Sequence, residues 1–280
     1  MTIPYDPTIS SLIHPGLKDT FFSSLTSVNH LQLAVEAARL SYYSFEKRAQ
    51  EKDRLSLALQ VVGYSGVQTF SSGSGAQAIA AYAPATRSAI LAFRGTQPES
   101  LEDIGIDASA LPTPWQGIGL VHTGFSLAFQ SLRMGIQQWL DTVVHDRAEL
   151  LVCGHSLGAA LATLAASVWK PTKLITIGSP RVGDIKFVES LANVDSHRIV
   201  NCCDLATRVP PRLIYEHAQG LMFIRHDGTL GEDHAAEVID KDRHNGRAEF
   251  FSRYALIPGN APLRDLSDHA PINYLRAFWP

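Results

Sequence analysis

A serine lies between two glycines in Gly154-His155-Ser156-Leu157-Gly158. The pattern G-x-S-x-G fits a sharp strand-to-helix turn that lifts a serine hydroxyl above the end of a sheet, where it can act as a nucleophile. The chain reverses so tightly there that side chains at the two flanking positions would collide, so glycine is needed. The same turn puts the Leu157 N–H at a helix start, where partial positive charge favours an oxyanion. The competing reading is a glycine-rich helix start with Ser156 as a simple N-cap. The flanks favour the nucleophile, because "ELLVCG" reads as an apolar strand and "SLGAALATLAASVW" as a helix.

A serine hydroxyl is a weak nucleophile and needs a histidine base, which in turn needs an acid to orient it. In this kind of fold the partners follow the serine in the order acid, then histidine. Asp204 comes directly after the predicted strand "HRIVNCC", at the carboxyl end where such sheets place functional groups. Its other reading is a cap before "LATRVPP". Asp195 precedes that strand and so falls at the wrong end, and Asp227 and Asp233 lie in a predicted hairpin. For the base, His269 is late in the chain and opens the last helical segment. His217, His226, His234 and His244 are alternatives, most of them expected on the surface or in the hairpin. Asp268 beside His269 reads as a cap or surface charge and as a poor orienter, since adjacent side chains point apart. A second oxyanion donor is expected at Thr96, which ends the strand "AILAFRGT" and offers both N–H and hydroxyl. The plain alternative for that stretch is a strand with a glycine turn.

These residues need a scaffold, and the rest of the chain supplies a pattern for one. Residues 29–47 carry a helical rhythm. "AQAIAAYAP" and "SAILAFRGT" read as adjacent strands with a turn at Pro84, and "SSGSG" as a hairpin loop. A helix is expected from about Ser126. From residue 149 onward short apolar strands alternate with helices, which is the signature of a parallel sheet covered on both faces. "LMFIRHDGTL" is expected to form a late hairpin turning at Asp227-Gly228. The expected fold class is therefore α/β, with the whole chain, 1–280, as one domain.

With 280 residues, 45% of them apolar, the chain can bury a core of that size. Lys plus Arg number 24 and Asp plus Glu 27, for a formal net charge of -3, so no nucleic-acid partner is expected. Three cysteines, Cys153, Cys202 and Cys203, do not make a disulfide framework and read as small hydrophobes in apolar runs. A reducing compartment is expected on that ground. The N-terminus shows no signal-peptide pattern, so a cytoplasmic location is favoured over secretion. No apolar run reaches a membrane span, and no stable membrane insertion is expected.

Taken together, "AFRGT", "VHTGF", "GHSLGAALA", "TIGSPRVGD", the Asp204 strand and "DHAPINY" occur in the order seen in class 3 lipases, the fungal-lipase-like α/β-hydrolases. The resemblance runs from about residue 30 to 275. It implies an α/β-hydrolase fold and hydrolysis of lipid esters, with no metal and no cofactor. Carried over, it makes Ser156 the nucleophile, Asp204 the orienter, His269 the base, and Thr96 with Leu157 the oxyanion hole. It assigns structural roles to His122 and to the turn Gly178-Ser179-Pro180-Arg181. It also implies a lid after the oxyanion strand, at residues 98–119, working at an oil–water interface. Leu101, Ile104 and Ala108 repeat there at helical spacing, although a fixed packed loop has the same pattern. The secreted fungal members carry disulfides and a signal peptide, and this chain departs from them in both. Rival readings keep the triad but change the substrate, to a short-chain ester, a phospholipid cleaved as by phospholipase A1, or a feruloyl-type ester. A catalytically silent lipid-binding scaffold is the rival of another class.

Overall fold

The computed structural model describes residues 2–46, 48–96, 111–232 and 234–279. Along the chain come α1 (Ile9–Ile13), α2 (His30–Leu40), α3 (Ala49–Gln60) and the strands β1 (Ser65–Ser71), β2 (Gln77–Ala83) and β3 (Ser88–Phe93). A small hairpin, β4 (Pro112–Pro114) and β5 (Leu120–His122), leads into α4 (Thr123–Thr142). Then follow β6 (Glu149–His155), α5 (Leu157–Trp169), β7 (Lys173–Ile177), α6 (Ile185–Glu189) and β8 (Asp195–Asn201). The chain closes with β9 (Leu221–Ile224), α7 (Ala236–Arg253), α8 (Arg264–Ser267) and α9 (Pro271–Leu275). Among the described residues, the main sheet has the order β1-β2-β3-β6-β7-β8-β9. Strands β3, β6, β7, β8 and β9 run parallel, and β1 and β2 form an antiparallel extension. This is the mostly parallel α/β-hydrolase sheet that the alternating pattern predicts.

Burial on both faces explains the strands' composition. Strand side chains alternate between faces. Ile90, Ala92, Leu151 and Cys153 pack with α2 and α9 on one side, and Leu91, Phe93, Leu150 and Val152 with α4 and α5 on the other. A strand with no solvated face reads as a continuous apolar run, and all six residues of β3 are buried. The alanines of α5 let that helix lie close to the sheet, and nine of its residues are buried.

Two boundaries differ from expectation. Helix α4 begins at Thr123 rather than near Ser126, because the His122 side chain caps it by accepting from the Phe125 N–H. That gives His122 a structural role. The "LMFIRHDGTL" segment is only partly a hairpin: β9 joins the sheet parallel to β8, and the return past Gly228 makes a single bridge, Ile224 to Leu230. Of the expected lid, residues 98–110 lie outside the described residues. The remainder is the β4–β5 hairpin, anchored by buried Trp115, whose Nε1 donates to Ser167 Oγ at 2.9 Å.

The N-terminal segment is fastened by charges that sequence periodicity conceals. Glu36 and Arg39 of α2 are both fully buried and meet in a two-pronged ion pair of 2.8 and 2.7 Å. Arg39 also donates to the carbonyls of Pro15, Lys18 and Asp19, and Glu36 accepts from Thr20 Oγ1 and the Phe21 N–H. Removing one partner strands a buried charge, which costs about 3–5 kcal/mol. Arg39→Met is expected to lower the urea unfolding midpoint by that measure. The double variant Glu36→Leu/Arg39→Met is expected to recover much of it, and equal loss in both would refute the ion-pair account.

Candidate active site

The site is assembled at the carboxyl ends of β3, β6, β7 and β8. Ser156 is the pivot between β6 and α5, with φ 58° and ψ -127°. A non-glycine residue at positive φ is strained and must be held by its surroundings. The glycines around it explain how. A Cβ on Gly154 would stand 2.2 Å from the Gly158 carbonyl oxygen, and one on Gly158 would stand 2.1 Å from the Phe93 carbonyl oxygen. The flanking positions therefore clear backbone, both across the turn and on the neighbouring strand β3, rather than each other's side chains. The simple N-cap reading fails, since Ser156 makes no side-chain cap bond.

Asp204 and His269 converge on this serine. His269 Nε2 lies 2.8 Å from Ser156 Oγ, and His269 Nδ1 lies 3.0 and 2.9 Å from the two carboxylate oxygens of Asp204. A carboxylate only accepts, so Nδ1 carries the ring proton and Nε2 is free to accept from the hydroxyl. Asp204 is fully buried and His269 nearly so. The geometry of Asp204 is compatible with both sequence readings, since beside its bonds to His269 its Oδ1 also accepts from the Ala206 N–H at 2.8 Å and caps the turn that follows. Gly178 lies against the pair: a Cβ there would come within 2.8 Å of Asp204 Oδ2.

Several residues that sequence reading passed over or misread hold this arrangement. The Tyr274 hydroxyl donates to Asp204 Oδ2 while accepting from the Asn201 N–H. Its pKa is raised well above the ordinary value by burial and then by the Asp204 charge, so it stays a donor. His155 packs at a tilt against the His269 ring, with centroids 4.6 Å apart. His155 Nε2 donates to the His269 carbonyl at 2.9 Å, so its Nδ1 accepts from the Tyr42 hydroxyl at 2.7 Å. Burial, then the nearby His269, pulls the His155 pKa well below the ordinary value and keeps it neutral.

Asp268 corrects an expectation. It is neither a surface charge nor a simple cap but fully buried, accepting from Arg264 Nε, the Cys203 N–H and the Tyr5 hydroxyl. It does point away from the His269 ring, as neighbouring side chains do, and instead ties the acid-bearing turn to the histidine loop. The i,i+4 pair with Arg264 is local, but nothing local shows its burial or its bonds to residues 5 and 203.

The remaining candidates separate cleanly. Asp195 opens β8 far from the serine and bonds Lys173 and His197. Asp227 caps its own turn through Thr229, and Asp233 is outside the described residues. His217 Nε2 donates to the Thr207 carbonyl, His226 pairs with Asp242, His234 Nε2 donates to the Gly231 carbonyl and His244 is exposed. Leu157 is the first residue of α5, so its N–H has no acceptor inside the helix. Gly95 is pressed against the serine, since a Cβ there would lie 3.0 Å from Ser156 Cβ. The Gly95 N–H is directed at the Tyr42 hydroxyl, and Thr96, the next residue, is exposed.

The chain is similar to known proteins over much of this region. The family described as Lipase (class 3) matches residues 90–214, a span that holds Thr96, Ser156, Leu157 and Asp204 but not His269. Phospholipase A(1) DAD1, chloroplastic, of Arabidopsis thaliana is 33% identical over 154 residues, which cover 44% of this chain and 34% of that protein. The secreted mono- and diacylglycerol lipase A of Penicillium cyclopium is 30% identical over 214 residues, covering 70% of each chain. The crystal structure of a mutant form of MDLA from Penicillium cyclopium superposes with a TM-score of 0.58 at 25% identity, covering 72% of this chain and 82% of that one. The chain thus spans about a third of the plant relative and most of the fungal one.

Two outcomes test the site's geometry. A hydrogen bond to a charged group contributes about 1.5–3 kcal/mol, so Tyr274→Phe is expected to lower kcat roughly tenfold or more with KM little changed. An unchanged kcat would remove Tyr274 from the orienting network. The second outcome concerns pH. Burial, then Arg198, lowers the His217 pKa from 6.5 to about 3. His155 is depressed as well, so below about pH 6.5 the unfolded chain binds protons that the folded one refuses, and stability is lost as pH falls. Each such group contributes a slope of up to about 1.4 kcal/mol per pH unit. Urea midpoints are expected to drop between pH 7 and 5, and to drop less steeply in His217→Gln.

Proposed function

The chain belongs to the class 3 lipase family, and from that premise we propose that it hydrolyses carboxylic esters of lipids through a Ser156–His269–Asp204 triad and an acyl-enzyme. The observation that carries this reading is the unbroken relay from Ser156 Oγ to His269 Nε2 and from His269 Nδ1 to Asp204, at 2.8 and 2.9 Å. His269 takes the hydroxyl proton as Ser156 attacks the ester carbonyl. The Thr96 and Leu157 N–H groups, with the Thr96 hydroxyl, receive the oxyanion, at the positive end of α5. The alcohol leaves with the proton held on His269 Nε2. Water, deprotonated by the same nitrogen, then hydrolyses the acyl-enzyme. Asp204 keeps the proton on Nδ1 and stabilises the imidazolium, and Tyr274 with the Ala206 N–H holds Asp204 in place. No step calls for a metal or a cofactor.

The whole chain is read as one domain, with residues 98–119 as a candidate lid by the family resemblance. Contact with an oil–water interface is supported by exposed apolar side chains on segments leaving the carboxyl edge of the sheet. Leu111, after β3, is 76% exposed and Leu213, after β8, is 89% exposed. A phospholipid substrate, cleaved at one acyl ester, is the second reading, favoured by the likeness to a plant protein named phospholipase A(1).

Hydrolysis of p-nitrophenyl esters from acetate to palmitate, with Ser156→Ala alongside, tests the proposal. Loss of the nucleophile is expected to lower kcat by at least about 10⁴-fold, and long-chain esters are expected to be preferred. Equal rates for wild type and Ser156→Ala on every ester would overturn the proposal. Release of one fatty acid from phosphatidylcholine in preference to diacylglycerol would favour the second reading.

A further inference from the structure

The His269 carbonyl comes just before Ala270, the N-cap of α9, so it lies outside the ladder of that helix. His155 Nε2 donates to it at 2.9 Å. On the other side of the same ring, Nδ1 accepts from the Tyr42 hydroxyl at 2.7 Å, and the Tyr42 oxygen accepts in turn from the Gly95 N–H. The bonds run in one direction, from Gly95 to Tyr42, from Tyr42 to His155, and from His155 to the His269 carbonyl. Bonds aligned in this way polarise one another. The run starts on the residue before Thr96 and ends on the backbone of the base. Its side chains are shut off from solvent, with Tyr42 3%, His155 2% and His269 4% exposed. Water therefore cannot replace a bond that is lost.

We propose that Tyr42 and His155 are positioning residues for the hydrolysis, a strut that sets the His269 loop against the end of β3. Both act through His269 and the Gly95 backbone rather than on the ester. The strut has a fixed seat at each joint. A Cβ on Gly95 would stand 2.1 Å from the Tyr42 hydroxyl and 2.6 Å from the His155 carbonyl oxygen, so bare backbone is needed there. The Tyr42 ring meets the His155 ring edge-on, with centroids 5.8 Å apart. The Arg94 guanidinium lies over the Tyr42 ring, 5.7 Å from its centroid, and pairs with Glu46 at 3.3 Å.

An imidazole suits the middle place. A neutral ring accepts at one nitrogen and donates at the other, so the Tyr42 hydroxyl decides which nitrogen of His155 carries the proton. Without that hydroxyl the proton is free to sit on Nδ1, and Nε2 then turns a lone pair toward the His269 carbonyl. The two tilted rings thus hold opposite tautomers, His155 with its proton on Nε2 and His269 with its proton on Nδ1. A neutral ring also spares the base. His269 becomes an imidazolium as Ser156 attacks, and a second positive ring with its centroid 4.6 Å away would oppose that charge. The kinetic role rests on the hydrolase reading, whereas the run of bonds does not.

Spectra and kinetics test the two parts separately. Nitrogen NMR of the full chain with isotope-labelled histidine is expected to show the His155 proton on Nε2 and the His269 proton on Nδ1. Tyr42→Phe is expected to leave His155 in a mixture of tautomers. For kinetics, rates on a p-nitrophenyl ester are taken per serine titrated with a fluorophosphonate, so that misfolded protein is not counted. Tyr42→Phe is then expected to lower kcat about tenfold with KM little changed. His155→Leu offers no donor to the His269 carbonyl and is expected to lose at least about tenfold in kcat. His155→Gln, whose amide can donate in place of Nε2, is expected to recover most of that loss. A wild-type His155 with its proton on Nδ1 overturns the run of bonds. Equal kcat in wild type and Tyr42→Phe, or in His155→Leu and His155→Gln, overturns the positioning role. A wild type that neither labels nor cleaves any ester overturns the hydrolase reading and the kinetic role with it, and the spectra keep that failure apart from failure of the strut.

Discussion

His269 must keep its Nδ1 proton on Asp204 while leaving Nε2 open to Ser156, and the two partners lie 65 and 113 residues away in the chain. A hydrogen bond loses most of its worth with a few tenths of an ångström or a poor angle. The scaffold must therefore deliver three distant segments to one spot within that tolerance. The parallel sheet does so by ending β6, β7 and β8 at a common edge, each strand held by its neighbours' ladder. The residues that follow those ends, Ser156, Gly178 and Asp204, inherit the register of the sheet.

Register alone would leave the loops free to wander, and close backbone contact removes that freedom. Gly95, Gly154, Gly158 and Gly178 all occupy places where a methyl group would strike backbone or the triad itself. Close packing of this kind allows Ser156 to stay at positive φ, since relaxation of the turn would drive α5 into β3. The strain is local and its restraint comes from elements on both sides of the serine.

A second restraint is polar and buried. Asn201 donates to the Asp268 carbonyl, Cys203 to the Asp268 carboxylate and Tyr274 to Asp204, so the acid turn and the histidine loop share one network. The N-terminal segment enters it through Tyr5 and through Asp6, whose backbone exchanges bonds with the Asn273 side chain. Buried polar networks of this sort specify one arrangement because any rearrangement leaves a donor or acceptor without water or partner. The vicinal thiols sit in the middle of this web, through the Cys203 N–H on Asp268.

Local pattern carried much of the reading. G-x-S-x-G between an apolar strand and an alanine-rich helix identifies Ser156 and the Leu157 N–H, because the turn, the strand and the helix are all built from neighbouring residues. Asp204 was legible for the same reason, as the residue after a strand end, and the class of sheet followed from runs with no polar face. The tertiary structure decided what depends on residues far apart. It selected His269 from the other late histidines, turned Asp268 from an apparent surface charge into a buried hub, and brought in Tyr274, Tyr42 and His155. It also put two adjacent thiols on the same side of the chain, which a strand pattern forbids and the turn after Asn201 permits. Periodicity reports which face of an element is apolar, whereas a buried charge is identified only by its partner, and these partners lie from 3 to 263 residues away.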